Sequence, residues 1–70
     1  MNAIKTSYFT FGQKHVHRVN GIIWDKDCVA KITAEDPRKV MIETFGRQWS
    51  HEYDSLPDLS YYPRGVFEVS

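Results

Sequence analysis

The residues of this 70-residue chain best suited to hold a metal are His15, His17, His51 and Cys28. His15 and His17 are separated by one residue, so on a strand both imidazoles fall on one face, and His-x-His is a spacing that zinc sites use. A hairpin folded at residues 20–21 sets Cys28 diagonally across from the pair. Two features oppose a metal. The paired spacings of specific metal motifs, Cys-x-x-Cys or His-x-x-x-His, are lacking, and the same hairpin pairing puts Lys26 opposite His15, where it repels a cation. The competing reading is that these histidines are solvated or pack within the hairpin. The expectation is no metal and no other cofactor.

Nucleophilic catalysis would require Cys28 beside a histidine oriented by a third group. Cys28 instead sits in an alternating apolar run, where a free cysteine acts as a small hydrophobe. The carboxylate pairs Asp25/Asp27 and Glu35/Asp36 have other work, the first facing lysine and arginine across the hairpin and the second starting a helix. So small a domain also has little volume for an enclosed pocket of a few hundred Å³, the order of size that ligand sites need. No enzymatic activity is expected.

Recognition chemistry is better represented. Arg47, Trp49, Tyr53, Tyr61, Tyr62 and Arg64 are of the types that dominate the centres of binding surfaces. Aromatic residues interleaved with arginine also suit stacking on bases or nucleotides. Trp49 and Tyr53 have a plainer use, filling the core between helix and sheet. Tyr61 and Tyr62 are adjacent in an extended segment and cannot both face inward, so at least one is exposed beside Pro63 and Arg64.

The elements that would position these groups start from Asn20-Gly21. Asn-Gly favours a two-residue type I′ turn, whose central residues both need positive φ. Folding there pairs Val19 with Ile22 and His17 with Trp24, and further out Phe11 with Ala30 and Phe9 with Ile32. One face then carries Phe9, Phe11, Val19, Ile22, Trp24, Cys28, Ala30 and Ile32; the other carries Tyr8, Thr10, Lys14, Arg18, Asp25, Asp27, Lys31 and Thr33. A slip of one residue would mix the two sets. The arms run over about 8–19 and 22–33, with a bulge at Gly12, residues 1–6 frayed, Lys14 facing Asp27 and Arg18 diagonal to Asp25. The tip protrudes beyond the core.

Asp36 as N-cap, Pro37 at the first helical position and Gly46 at C′ bracket a short helix. Val40, Met41, Thr44 and Phe45 form its buried stripe, and Arg38, Lys39 and Glu43 face water. Period two returns over 47–53, placing Trp49, His51 and Tyr53 on one face and Gln48, Ser50 and Glu52 on the other. Residues 54–58 form a loop. Tyr62-Pro63-Arg64-Gly65 suits a type I turn, followed by an edge strand with Phe67 and Val69 inward. The predicted fold is one α+β domain over 1–70, a small antiparallel sheet packed on one helix in the order ββαβ(β).

Size and charge narrow the partners. A domain of this length buries only about 60% of the surface of its unfolded chain, and one cysteine cannot make an internal bridge. Two tryptophans, four tyrosines and four phenylalanines supply large buried area from few side chains. Nine basic and nine acidic residues leave a formal charge of zero, which disfavours a general nucleic-acid binder and an acidic nucleic-acid mimic alike. No apolar run approaches the ~20 residues that cross a bilayer, and 1–6 lack the apolar segment of a signal peptide. A soluble, cytoplasmic protein is expected. A sheet this small can leave an edge strand or Trp24 uncovered, so self-association is open.

Tyr8-Phe9-Thr10-Phe11-Gly12 with His15, followed by Phe45-Gly46-Arg47-Gln48-Trp49 and Tyr53, resembles a group of small uncharacterised bacteriophage proteins that share Phe-Thr-Phe-Gly and Phe-Gly-x-x-Trp segments. The resemblance spans Tyr8 to about Val69 and departs from the group at Arg18, where its members have proline. It implies phage origin and a small accessory role in the host cytoplasm, with no activity to carry over. The expected function is a non-enzymatic module that binds and blocks a host protein, most commonly as a counter-defence (anti-CRISPR-like) inhibitor. The residues nominated for contact are His15, His17 and Arg18 at the hairpin tip, Arg47 after the helix, and Tyr61, Tyr62 and Arg64 at the last turn. The alternative is a nucleic-acid or nucleotide binder.

Overall fold

A computed structural model describes residues 3–69. Six strands and one helix follow in the order β1 (Lys5–Thr10), β2 (His17–Val19), β3 (Ile22–Trp24), β4 (Cys28–Ala34), α1 (Pro37–Phe45), β5 (Glu52–Tyr53) and β6 (Gly65–Val69), with a single 3₁₀ turn at Leu59–Tyr61 before β6. Strands β5, β1, β4 and β6 form the main sheet in that spatial order, and β2 pairs only with β3. This is an α+β fold of one helix on a small sheet.

The turn at Asn20-Gly21 forms as expected, with φ of 56° and 77°. It fixes His17 opposite Trp24 and Val19 opposite Ile22. The outer register differs from expectation: Phe9 pairs with Ala30 rather than Ile32, and Thr10 with Val29. Between the two ladders the first arm holds six residues (11–16) and the second four (25–28). An excess of two preserves side-chain parity. All eight residues assigned to the buried face accordingly lie in the core or pack against it.

The extra residues make a turn around Gly12, where the Gly12 N–H donates to His15 Nδ1 (2.9 Å) and the His15 N–H to Gly12 O (3.0 Å). His15 thus leaves the strand. The expected pairings of Lys14 with Asp27 and Lys26 with His15 do not arise, because 11–16 and 25–28 lie between the ladders and Lys26 pairs with its neighbour Asp27. Arg18 keeps its expected register opposite Ile23, while the Asp25 carboxylate pairs with Arg64. Nor is the segment expected to fray loose throughout, since β1 begins at Lys5 and Thr6 shares a hydroxyl hydrogen bond with Thr33 (2.9 Å). Residues 1 and 2 of that segment lie outside the described residues.

Helix α1 starts and stops where its caps dictate. Asp36 accepts from the Lys39 N–H (3.2 Å), Pro37 occupies the first turn, and Gly46 at φ 76° donates to Ile42 O (2.8 Å). Met41 and Phe45 are buried. They close over Phe9, Phe11, Cys28, Ala30 and Ile32 from the sheet.

Two expectations about the later strands are corrected. The 47–53 segment is not one period-two strand. Trp49 meets Phe9 edge to face at 5.1 Å, yet Glu52 is the residue paired with Phe9, and Tyr53 pairs with Tyr8. Trp49 and Glu52 therefore serve the helix side while Tyr53 faces away. The pull on Glu52 is Arg38 of the helix, which holds its carboxylate at 2.8 Å. The sheet is also mixed rather than wholly antiparallel, because β6 runs parallel to β4.

That parallel strand follows from the topology. Strand β5 lies at one edge and β6 at the opposite edge, so the 54–64 connection recrosses the sheet. It ends beside the start of β4, where the Arg64 N–H bonds Asp27 O, which sets β6 parallel to β4. The helix already crosses on one face, and right-handed crossovers in opposite directions use opposite faces. Val29 and Thr10 point away from the helix and are nonetheless buried. One buried side-chain polar atom among the described residues has no partner, Ser7 Oγ. Replacing Ser7 by alanine removes an unsatisfied hydroxyl and should stabilise the fold by about 1 kcal/mol. For a domain of this size that raises Tm by roughly 4–8 °C in a thermal melt.

Candidate functional site

The β2–β3 ribbon is too short to be stable in isolation and is held against the rest of the molecule at two points. On the β2 side, the His17 ring packs between Phe11 (5.6 Å) and Phe45 (5.3 Å), and its Nε2 hydrogen-bonds Gln48 O at 2.8 Å. On the β3 side, Trp24 packs against Phe45 (5.1 Å) and Phe67 (5.6 Å). The Arg64 guanidinium donates to Ile23 O, pairs with Asp25 at 3.4 Å and lies 5.5 Å from the centre of the Phe67 ring. The Arg64 backbone N–H is also fixed, on Asp27 O (2.9 Å).

Topology gathers all seven nominated residues at this end of the molecule. Strand β1 ends there, β4 and β6 begin there, and the end of α1 packs onto Trp24 and His17. Their roles divide. His17 and Arg64 are clasps, and His15 closes the Gly12 turn. Arg18, Arg47 and Tyr61 are exposed and Tyr62 is half-buried. The two tyrosines divide as adjacency required, with Tyr61 74% exposed.

Two contributors escaped the sequence reading. Val16 (59% exposed) and Ile23 (42%) carry apolar surface out from the ribbon beside Arg18. The signal was present: Ile23 alternates with Ile22 and Trp24, so a turn that buries those two puts an isoleucine on the polar side. The 3₁₀ turn was missed as well. Asp58-Leu59-Ser60 caps it, the carboxylate accepting from the Ser60 N–H at 2.9 Å, and Leu59 O accepts from the Tyr62 N–H (3.0 Å). Tyr61 is thereby presented from a closed turn.

The metal candidates are dispersed. His15 Nδ1 is occupied by Gly12, His17 stacks on phenylalanines, and His51 hydrogen-bonds Ser50 Oγ (2.7 Å). Cys28 is buried in a turn in which its Sγ accepts from the Asp25 N–H (3.3 Å) and donates to Asp25 O (3.4 Å). Burial pushes its thiol up, and the hydrogen bond to Asp25 only partly offsets this. Among the described residues no group of three or more histidine, cysteine or acidic side chains is placed to hold a metal. An open concavity of about 360 Å³ lies on the outer side of α1, lined by Asp36, Arg38, Lys39, Ile42 and Glu43. Its charges are balanced, and it lies on the solvent side of the helix, away from the ribbon. No described helix is long and apolar enough to cross a membrane.

The chain matches no protein-family model, no curated protein and no solved structure.

Two expected outcomes test this geometry. Arg64→Ala removes a charged hydrogen bond, an ion pair and a cation–π contact, and should cost about 2 kcal/mol. Amide exchange should then accelerate across 17–24 more than across β1 and β4. The Asp58 carboxyl is held below its ordinary value by hydrogen bonds from the Ser60 backbone and side chain. A depressed folded value means that its support of the 3₁₀ turn is full above the ordinary aspartate range and is lost as pH falls through the folded value. The Ser60 and Tyr61 amide resonances should titrate there in the wild type and stay flat in Asp58→Asn.

Proposed function

We propose that this chain is a non-enzymatic binding module that acts by occupying a surface on another protein. The observation that carries the reading is the exposed set Tyr61, Ile23, Val16, Arg18 and Arg47 at one end of the molecule, on segments that the His17 and Arg64 clasps immobilise. Aromatic, aliphatic and arginine side chains together are what the centre of a protein interface uses. Holding them in place beforehand lowers the ordering cost of association. The mode is steric: a rigid wedge made of a clasped ribbon and a capped turn covers the partner's surface.

The Phe-Thr-Phe-Gly and Phe-Gly-x-x-Trp resemblance supports a phage-encoded accessory protein, and with it a host protein in the bacterial cytoplasm as the target. Inhibition of a defence system is the role of this kind that best suits a small blocking module. The nucleic-acid reading has less support. Trp49 packs on Phe9 and the Arg64 guanidinium is held by Ile23 and Asp25, so two of the stacking and phosphate-binding groups it needs are already engaged within the fold.

Immobilised protein exposed to host lysate should retain one protein in stoichiometric amount. Tyr61→Ala and Ile23→Ser should each weaken that capture by about tenfold or more, the scale of an interface hot spot, with melting temperatures within a few degrees of wild type. Recovery of no stoichiometric protein, or undiminished capture by the double variant, overturns the proposal. A mobility shift of DNA or RNA at low salt that fades steeply as salt rises would favour the alternative.

A further inference from the structure

The main sheet ends on one side in β5, only two residues long, and on the other in β6, which spans Gly65–Val69. A five-residue edge presents alternate unpaired N–H and C=O groups to whatever strand can reach them. Proteins usually blunt such an edge with charged side chains, lysine above all, with proline or with a bulge. Strand β6, Gly-Val-Phe-Glu-Val, has no lysine and no proline, its register with β4 is unbroken, and its one charge, Glu68, lies in register with Lys31 of the neighbouring strand. Val66 and Phe67 are left half-buried at the margin of the sheet.

We infer that the β6 edge pairs with β6 of a second copy of this chain, antiparallel about a two-fold axis, to give one continuous sheet of eight strands. The segment is complementary to itself in this arrangement. With Phe67 opposite Phe67 of the other copy, Gly65 meets Val69, small against branched, and the row on the helix side extends the Trp24–Phe67 contact (5.6 Å) into an apolar seam. On the outer side Val66 meets Glu68. Shifting the register by one pair toward the C-terminus would set Glu68 against Glu68, and like charges directly opposite destabilise a pair. The neutral formal charge of the chain leaves no net repulsion between copies at pH 7. This inference is independent of the binding reading above.

Sedimentation of the wild-type protein over a rising concentration series tests it, combined with amide exchange at each end of the series. The expected result is a mass that climbs from monomer toward dimer, with β6 amides gaining protection as it does while those of β2 and β3 do not. The register is read separately in a Cys28→Ser background. Val66→Cys mixed with Glu68→Cys should form the mixed disulfide under mild oxidation, and Glu68→Cys alone should form little. A monomer up to about 1 mM, where any residual association is worth less than roughly 4 kcal/mol, overturns the inference. A dimer whose new protection falls outside β6 does so too. Protection of β6 that arises only when a different protein is added would assign the edge to a foreign strand and overturn it equally.

Discussion

Phe45 receives aromatic rings from three segments that are distant in sequence: Phe11 at 5.2 Å, His17 at 5.3 Å and Trp24 at 5.1 Å. A domain of this size has too little apolar surface for a purely aliphatic core. Concentrating the burial in a few large edge-to-face rings gains both area and orientation. Phe45 is also the last residue of α1, and so its position depends on the caps at each end of the helix. If Gly46 could not adopt positive φ, the helix would not stop at Phe45, and the surface that receives the ribbon would turn away. The burial of Trp24 and the seating of the ribbon rest on these ring contacts.

The hairpin bends because its arms differ in length. The six residues on one side of the gap and four on the other could not continue a flat ladder. The excess in the first arm is taken up by a turn that His15 closes with its own Nδ1. A side chain with the chemistry of a metal ligand is thus required by the backbone. His17 and Arg64 follow the same logic. Each satisfies a carbonyl, Gln48 O and Ile23 O, and each lies against an aromatic ring of the core. The polar groups that pin the ribbon have the chemistry of ligand-binding residues, which is why their type alone is a poor guide to their role.

What could be read from the chain divides along the range of the interactions. Asn20-Gly21, Asp36-Pro37 and Gly46 specify their conformations within a few residues, and the turn, the helix start and the helix stop all lie where those residues put them. The inward set of the hairpin was equally legible, because parity survives a two-residue excess although register does not. Elsewhere the deciding partner is remote. Glu52 faces the helix side because Arg38 attracts it, which defeats the alternation from Trp49 to Tyr53. The parallel direction of β6 is set by a connection that must recross the sheet, and no local pattern encodes that. At the exposed end, the crowding of Tyr61 against Tyr62 was visible in the sequence. The assignment of Arg64 to a clasp was not, since it requires Ile23 and Asp25 to be close by.

The division bears on how such a scaffold evolves. The resemblance motifs, Phe9, Phe11, Gly12, Phe45, Gly46 and Trp49, are the residues that pack or turn the chain. Arg18, Ile23, Arg47 and Tyr61 touch none of the core aromatics in a ring contact and are free to change without repacking the core. The coupling between the two sets runs through His17, Trp24 and Arg64 at the base of the ribbon. Replacing a clasp therefore has a different signature from replacing a contact residue. The first loosens the ribbon and lowers stability; the second leaves the fold intact. A scaffold so arranged can alter these exposed residues without disturbing the rings around Phe45. Arg18 and Ile23 project from the ribbon's outer face while the clasps bear on its backbone and inner face, and Arg47 and Tyr61 lie in the segments after α1 and before β6.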